Sequence, residues 1–216
     1  LNNKIEKVIS LSTDKAASPI NLYGATKLAS DKIIIAANNY SKKTRFSVVR
    51  YGNVFASRGS VVPFFIQQKK KGFITITDKK MTRFNISLDE AVKLVLFAIK
   101  SSVGGEIYVP KIPSYKITDL AKAIAPNVPI KIVGIRPGEK LHEEMITVAD
   151  SKNTLEFDNH YIIKPNSEFY NWDLKNYLKK IKNKKYKYVN ENFSYNSFNN
   201  KDYLSVVQLK KIISNM

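Results

Sequence analysis

The chain has no cysteine, which excludes disulfide bonds and leaves the redox compartment undecided. No apolar run approaches the roughly 18–20 residues of a membrane-spanning helix, and no signal peptide is visible. The first residue is leucine rather than methionine, so we expect the sequence to begin inside a longer protein. Its hydrophobic content of 44% is that of an ordinary globular domain. Together these features predict a soluble, cytoplasmic protein.

Arginine is also scarce, since only five of the 36 basic residues are arginine and the others are lysine. The formal net charge of +18 at pH 7 is compatible with a protein that binds nucleic acid or an anionic surface. However, abundant lysine, asparagine and isoleucine are also typical of an AT-rich genome, and charge runs are usually solvated faces. We therefore expect neither a nucleic-acid nor a membrane partner. A basic nucleic-acid-binding protein remains the alternative from another functional class.

Strand and helix patterns alternate along the first part of the chain. A β-rich run at 5–12 is followed by a helical pattern at 21–40 and a short apolar strand at 46–51. Strand, helix and strand in this order predict a right-handed βαβ unit and hence an α/β fold. From about residue 166 the chain becomes rich in lysine and asparagine, which predicts a loosely packed end with one last helix at 204–213.

Side chains able to do chemistry cluster between the first strand and the first helix. Thr13, Asp14 and Lys15 follow the strand, and Tyr23 and Lys27 lie four residues apart at the start of the helix, which places them on one face. An ammonium group beside a phenol favours the phenolate, a base able to take a proton from a sugar hydroxyl. With 12 tyrosines in a lysine-rich chain, the pair alone has no specificity, so its position carries the prediction. A capping Asp14 and a solvated Lys15 are the plain alternatives.

Residues 12–17 and 21–27 resemble the inverting UDP-N-acetylglucosamine 4,6-dehydratases, extended short-chain dehydrogenase/reductases that open the pseudaminic acid pathway. Further segments match that family in order: 47–54, 57–65, 81–84, 105–111 and 135–143. The likeness runs from about residue 8 to about residue 165, and its strength comes from several matches in the same order.

The resemblance implies the C-terminal part of a Rossmann-type doubly wound sheet plus a small α/β nucleotide-sugar-binding domain. Residues 1–54 would form the catalytic strand–helix–strand portion, 55–165 the substrate-binding portion interleaved with the last Rossmann elements, and 166–216 a C-terminal extension. None of the eight glycines forms the Gly-x-Gly-x-x-Gly loop that cradles a dinucleotide pyrophosphate. In the family this loop would precede residue 1, so we expect the chain alone to be inactive and one edge of its sheet to lack its partners.

The resemblance also implies a chemistry for the clustered side chains. Tyr23, supported by Lys27, would remove the C4 hydroxyl proton of the sugar while hydride passes to NADP⁺. Asp14 would then protonate the leaving C6 hydroxyl and Lys15 would take the C5 proton, with Thr13 bound near O4. Related retaining enzymes have glutamate after the aspartate, so the lysine indicates inversion at C5. A retaining 4,6-dehydratase or a 4-epimerase of the same fold is the second reading.

Binding residues follow from the same resemblance. The residues expected at the cofactor NADP are Tyr23, Lys27, Tyr51, Gly52, Asn53 and Val54. Those expected at the substrate, UDP-N-acetylglucosamine, are Asn53, Arg58, Gly59, Ser60, Arg83, Arg136 and Glu139. Glu139 would end a turn and begin a helix carrying His142. We expect no metal there, since the other histidine, His160, is remote in sequence, and we expect a homo-oligomer.

Overall fold

The computed structural model describes residues 5–41, 43–165, 172–182 and 184–216. The strands are β1 (Lys7–Thr13), β2 (Arg45–Tyr51), β3 (Ile74–Ile76), β4 (Thr82–Phe84), β5 (Ile107–Pro110), β6 (Ser114–Lys116), β7 (Ile130–Ile132), β8 (Glu144–Ile146), β9 (Thr154–Glu156), β10 (His160–Ile163), β11 (Lys187–Tyr188) and β12 (Tyr195–Asn196). The α-helices are α1 (Leu22–Ala36), α2 (Val61–Lys69), α3 (Leu88–Ser101), α4 (Ile117–Ile124), α5 (Leu174–Lys180) and α6 (Val206–Ser214). Short 3₁₀ helices lie at Asp14–Ala16, Ala37–Asn39 and Val148–Asn153.

The chain folds into two compact units, each built from separate stretches of sequence. The first unit comprises Leu1–Tyr51, Asp89–Lys111 and Glu144–Tyr195, and the second comprises Gly52–Leu88, Ile112–Glu143 and Asn196–Met216. This division differs from the three consecutive segments expected from the sequence, because residues of the expected extension are shared between both units.

The first unit is organised around a six-stranded sheet in the order β1-β2-β5-β10-β9-β11. Strands β1, β2 and β5 run parallel, whereas β10 and β9 add antiparallel neighbours. The register of β1 and β2 pairs Thr13 with Tyr51, so both strands end at the same edge of the sheet. The parallel strands with their helical connections confirm the predicted α/β fold class.

Alternate residues of the sheet pack against different helices, as the two-residue period of a strand requires. On β2, Val49 is buried in a cluster with Leu94 of α3 and Tyr177 of α5. Its neighbour Arg50 contacts Asp31 of α1 instead. Helices therefore cover the sheet on both sides, which is the doubly wound arrangement expected.

The second unit has a core formed by helices α2, α4 and α6 and by two small sheets, β3 with β7 and β4 with β6. Leu209 of α6 is fully buried in this core. Helix α6 begins at a capping box in which Ser205 and Gln208 bond each other's backbone N–H groups. The expectation of a loosely packed end is therefore wrong for residues 196–216, where apolar residues at helical spacing supply a core face despite the polar composition.

One predicted helix is absent. Residues 139–143 lie in a loop rather than in a helix that starts at Glu139. The carbonyl oxygens of Lys140 and Leu141 accept hydrogen bonds from the Arg83 side chain, so these carbonyls are not available to an α-helical ladder. No helix among the described residues is long and apolar enough to cross a membrane.

Candidate active site

The chain turns sharply after β1, and three of the predicted catalytic side chains meet in this turn. The Thr13 hydroxyl donates to Asp14 Oδ1 at 2.9 Å, and the Lys15 ammonium donates to the same oxygen at 3.0 Å. Asp14 is buried, with 1% of its surface exposed, whereas Lys15 is partly exposed. A carboxyl group and an amine are thus held in direct hydrogen-bonding contact at the carboxyl end of a parallel strand, where α/β sheets place their ligands.

Helix α1 is packed directly against this turn. Asn21 caps the helix by accepting from the Gly24 N–H at 2.8 Å. A β-carbon on Gly24 would lie 2.4 Å from the carbonyl oxygen of Lys15, so only glycine permits this close approach. The first turn of α1, which carries Tyr23, is therefore held beside the Asp14–Lys15 pair.

Tyr23 and Lys27 stand four residues apart on α1, as the sequence predicts. Tyr23 is 54% exposed, and the Lys27 ammonium donates to the carbonyl oxygen of Leu11 in β1 at 2.7 Å. Lys27 thus links the helix to the strand that leads into the Asp14–Ala16 turn. The structure brings Thr13, Asp14 and Lys15 into direct contact, and it places Tyr23 and Lys27 on the adjoining helix.

A buried ion pair that the sequence analysis did not assign joins α1 to the sheet. Asp31 Oδ2 accepts from the Ser12 hydroxyl at 2.7 Å and from Arg50 at 3.2 Å. Arg50 also donates to the carbonyl oxygen of Met145 at 3.0 Å. The only signal in the sequence was an arginine in an otherwise apolar strand, and nothing in the sequence indicated its partner. This pair fixes the rotation of α1, and hence the side on which Tyr23 and Lys27 lie.

Apart from Tyr23 and Lys27, the residues predicted at the cofactor lie at the end of β2 and just beyond it. Tyr51, the last residue of β2, is paired with Thr13, and burial raises the pKa of its phenol. Gly52 is buried and Asn53 exposed. Val54 forms a parallel bridge with Ile86 in the second unit. The backbone thus becomes irregular directly after β2, at Gly52 and Asn53.

Arg83 of β4 is engaged by the loop at residues 135–143, which we call the 135–143 loop. Its guanidinium donates to the carbonyl oxygens of Lys140 at 3.0 Å and Leu141 at 3.2 Å. It also lies 3.7 Å from a carboxylate oxygen of Glu139 and 3.6 Å from one of Glu143. Arg83 is buried. In this structure the guanidinium therefore holds the loop, rather than standing free as a diphosphate clamp.

The other residues predicted at the substrate lie in exposed or half-buried positions of the second unit. Glu139 accepts from the backbone N–H of Arg136 at 3.3 Å and from Thr77 at 3.4 Å, while the Arg136 residue is exposed. Gly59 has a φ of 77°, a left-handed conformation that favours glycine, and Arg58 beside it is exposed. The Ser60 hydroxyl is buried with no hydrogen-bond partner among the described residues. An unpartnered buried hydroxyl is a feature that a bound ligand can satisfy.

His142 is held by contacts with Thr82 and Phe198. Its Nδ1 lies 2.8 Å from the Thr82 hydroxyl, and its ring is 4.6 Å from that of Phe198. Burial, followed by the nearby charge of Arg83, lowers the pKa of its imidazole. Across the described ranges, no group of three or more His, Asp or Glu side chains could hold a metal ion.

A parallel sheet with a chemistry-bearing turn after one strand and a Tyr–Lys helix beside it defines an α/β chain of the Rossmann type. The chain belongs to the polysaccharide biosynthesis protein family, whose model matches residues 1–165. This result and the relatives below confirm the resemblance found in the sequence.

Among proteins of known name, the chain is 54% identical over 216 residues to UDP-N-acetylglucosamine 4,6-dehydratase (inverting) of Campylobacter jejuni subsp. jejuni, with 98% of this chain and 64% of the relative covered. It is 44% identical over 168 residues to UDP-glucose 4-epimerase of Rickettsia bellii, with 74% of this chain and 49% of the relative covered. The X-ray structure of Pen from Bacillus thuringiensis superposes with a TM-score of 0.81 at 34% identity, covering 98% of this chain and 62% of that one. The chain therefore spans less than two thirds of the length of each.

Proposed function

We propose that the chain is the C-terminal part of an NADP-dependent UDP-N-acetylglucosamine 4,6-dehydratase that inverts the configuration at C5. The observation that carries the proposal is the hydrogen-bonded couple of Asp14 and Lys15, held at the end of β1 beside the helix that bears Tyr23. The name of the Campylobacter relative, to which this chain is 54% identical over 98% of its own length, supports the same activity.

The residues present fit the nicotinamide end of a dinucleotide. Thr13 and Tyr51 lie side by side where two parallel strands end, and the exposed Tyr23 and the strand-bound Lys27 are on the adjoining helix. When bound, the cofactor would accept a hydride from C4 of the sugar and return it at C6. Tyr23 accepts the C4 hydroxyl proton in this scheme, and Lys27 lies about one helical turn further along α1.

The elimination of water needs an acid and a base on neighbouring sugar carbons. Asp14 gives a proton to the departing C6 hydroxyl, which leaves as water, and Lys15 takes the proton from C5, which the C4 ketone has made acidic. Once a hydride has been returned to C6, C5 takes a proton that originates in the solvent on the face opposite Lys15, and this inverts its configuration. The reactive state requires a protonated Asp14 and a neutral Lys15. That state differs from the ion pair by one proton, which has only the 3.0 Å hydrogen bond between the two groups to cross.

We assign the nucleotide to residues of the second unit. Arg136 and Arg58 are exposed cations able to contact the diphosphate, and Glu139 is an acceptor for ribose hydroxyls. Ser60 offers a hydroxyl whose hydrogen-bonding capacity is unused among the described residues, and Asn53 adds an exposed amide. Arg83 supports this set through its bonds to the 135–143 loop and contributes positive charge.

A second candidate is a 4-epimerase of the same fold, which the 44% identity to the Rickettsia enzyme favours. Epimerisation needs the Tyr23 base and the hydride steps, but it has no use for the Asp14–Lys15 couple. The presence of that couple is why we prefer the dehydratase. From the family resemblance we further propose a homo-oligomeric cytoplasmic enzyme of the pseudaminic acid pathway.

The test is a chimaera in which the N-terminal portion of the Campylobacter relative precedes residue 1 of this chain. Given UDP-N-acetylglucosamine and NADP⁺, it is expected to produce a 4-keto-6-deoxy sugar inverted at C5, identified by NMR. A C4 epimer that keeps its C6 hydroxyl would instead establish the epimerase. If the chimaera is folded and yields neither product, the assignment is wrong.

A further inference from the structure

Residues 196–204, which we call the 196–204 segment, lie beyond the residues that the family model matches, yet they contact the 135–143 loop directly. Ser197 is at the centre of these contacts. Its side chain is fully buried, and its hydroxyl lies 2.7 Å from the Thr82 hydroxyl and accepts from the Glu143 N–H at 2.9 Å. Its own N–H donates to the Glu143 carbonyl oxygen at 2.7 Å.

The same loop is also held by β4. The Thr82 N–H donates to the Leu141 carbonyl oxygen at 3.1 Å, and Arg83 donates to the carbonyl oxygens of Lys140 and Leu141. The Thr82 hydroxyl also contacts His142 at 2.8 Å. Consecutive residues at the end of the loop are thus fixed between β4 and Ser197.

The 196–204 segment is itself firmly anchored in the second unit. The Asn200 amide donates to the Ile112 carbonyl oxygen at 2.8 Å and to the Ser114 hydroxyl at 2.9 Å. The backbone of Ser114 bonds Asp202 and Leu204, each at 2.8 Å. The Tyr203 hydroxyl donates to the Ser197 carbonyl oxygen at 2.6 Å, which closes the segment on itself. Ser197 is therefore held in place by this segment, and its bonds to Glu143 can restrain the 135–143 loop.

From this arrangement we propose that Ser197 is a positioning residue for nucleotide binding. By tying Glu143 to β4 and to the anchored segment, it holds the 135–143 loop in the conformation in which Arg136 and Glu139 meet the nucleoside diphosphate. The inference rests on the proposed function, because it takes these two residues as the nucleotide contacts. Preorganisation of this kind raises affinity by removing the free energy of ordering the loop on binding.

The experiment compares UDP binding by this chain with that of two variants in isothermal titration calorimetry. Ser197→Ala removes the buried hydroxyl and leaves the Glu143 N–H without its acceptor, so UDP affinity should fall about tenfold. The stoichiometry should stay at one UDP per chain, because mere loss of folded protein would lower the stoichiometry and not the affinity. The matched control is Ser214→Ala, which removes an exposed hydroxyl that donates to the Lys211 carbonyl oxygen within α6; it should bind as the wild type does.

Hydrogen exchange gives a readout that does not depend on UDP. In Ser197→Ala the amides of residues 140–143 should exchange faster than in the wild type and in Ser214→Ala. If Ser197→Ala does not fold, Tyr203→Phe takes its place, since it removes a hydroxyl that donates to the carbonyl oxygens of Ser197 and Phe198. It should lower UDP affinity in the same direction and by less.

The outcomes separate this inference from the proposed function. Wild-type chain that does not bind UDP contradicts the nucleotide assignment itself, and the inference falls with it. Wild-type chain that binds UDP, with Ser197→Ala or its substitute Tyr203→Phe binding equally tightly, overturns only the positioning role, whatever the exchange data show.

Discussion

At the scale of single residues, His160 shows how burial sets a titration that the sequence could not reveal. Its ring is stacked on Phe157, with centroids 4.8 Å apart, and its Nε2 lies 3.0 Å from the Tyr177 hydroxyl. Burial, followed by the charge of Lys111, lowers the pKa of His160 to about 4 from the usual histidine value of 6.5. The folded chain therefore keeps this imidazole neutral at pH values where the unfolded chain protonates it.

We predict a loss of stability in mildly acidic solution from this residue. Because the unfolded state binds the proton more tightly, the free energy of unfolding is highest above pH 6.5, where His160 is neutral in both states. It decreases as the pH falls from 6.5 towards 4. The loss amounts to about 3 kcal/mol in the free energy of unfolding at the acidic limit. Urea denaturation at a series of pH values measures it. A His160→Phe variant should lack this pH-dependent component, and equal slopes for variant and wild type would contradict the account.

Among the sequence predictions, local patterns located residues well, whereas pairings over long distances in the chain were out of reach. The Thr13–Asp14–Lys15 contacts join neighbouring residues, so their proximity followed from the sequence. The Asp31–Arg50 pair joins residues 19 positions apart, and its register depends on how α1 lies on the sheet. The roles of Ser60, Arg136 and Glu139 stay predictions, because their assignment concerns a bound nucleotide.

At the scale of secondary structure elements, the contact between α1 and the Asp14–Ala16 turn depends on Gly24. The strand–helix–strand arrangement of β1, α1 and β2 was predicted because each element has its own apolar pattern and end signals. By contrast, the loop at 139–143 resembles a helix start in sequence, but its carbonyl oxygens accept hydrogen bonds from Arg83, Thr82 and Ser197. Side-chain competition of this kind has no periodic signature.

We predict that Gly24→Ala destabilises the chain although alanine is the better helix former. Helix propensity alone would stabilise by about 1 kcal/mol. The new β-carbon, however, would lie 2.4 Å from the Lys15 carbonyl oxygen, a backbone atom that cannot rotate away, and overpacking of this kind costs typically 1–3 kcal/mol. Chemical denaturation should show a net loss, with the exposed neighbour Ala25→Ser as control. A gain of about 1 kcal/mol would show that α1 is not held against the turn.

At the scale of the whole molecule, the sequence indicated the α/β class but not the boundaries of its parts. Each unit is assembled from three separate stretches of sequence. The amino-acid composition along the chain does not indicate where the chain passes from one unit to the other. The lysine- and asparagine-rich end was expected to be loosely packed, yet α6 supplies Leu209 to the core of the second unit. Its apolar residues recur at helical spacing, and this periodicity outweighs the polar average.

We predict that the chain alone binds the nucleotide but does not catalyse the reaction. No Gly-x-Gly-x-x-Gly loop is present, and the chain covers 64% of the Campylobacter relative. We expect the chain alone to bind UDP, because the proposed nucleotide residues are present, and to catalyse no dehydration even with added NADP⁺. Product formation measured with the chain alone and with the chimaera tests this. Dehydration by the chain alone would contradict it.

The central claim is that Lys15 takes the proton from C5 of the sugar, and exchange at that carbon tests it most directly. In the chimaera, product formed in D₂O should carry deuterium at C5, and Lys15→Ala should lower turnover about 10²–10⁴-fold while a single turnover still reduces NADP⁺ through Tyr23. The control is Lys32→Ala, an exposed lysine of α1 that should leave turnover unchanged. Product with deuterium at C5 and at an undiminished rate in Lys15→Ala would contradict the account.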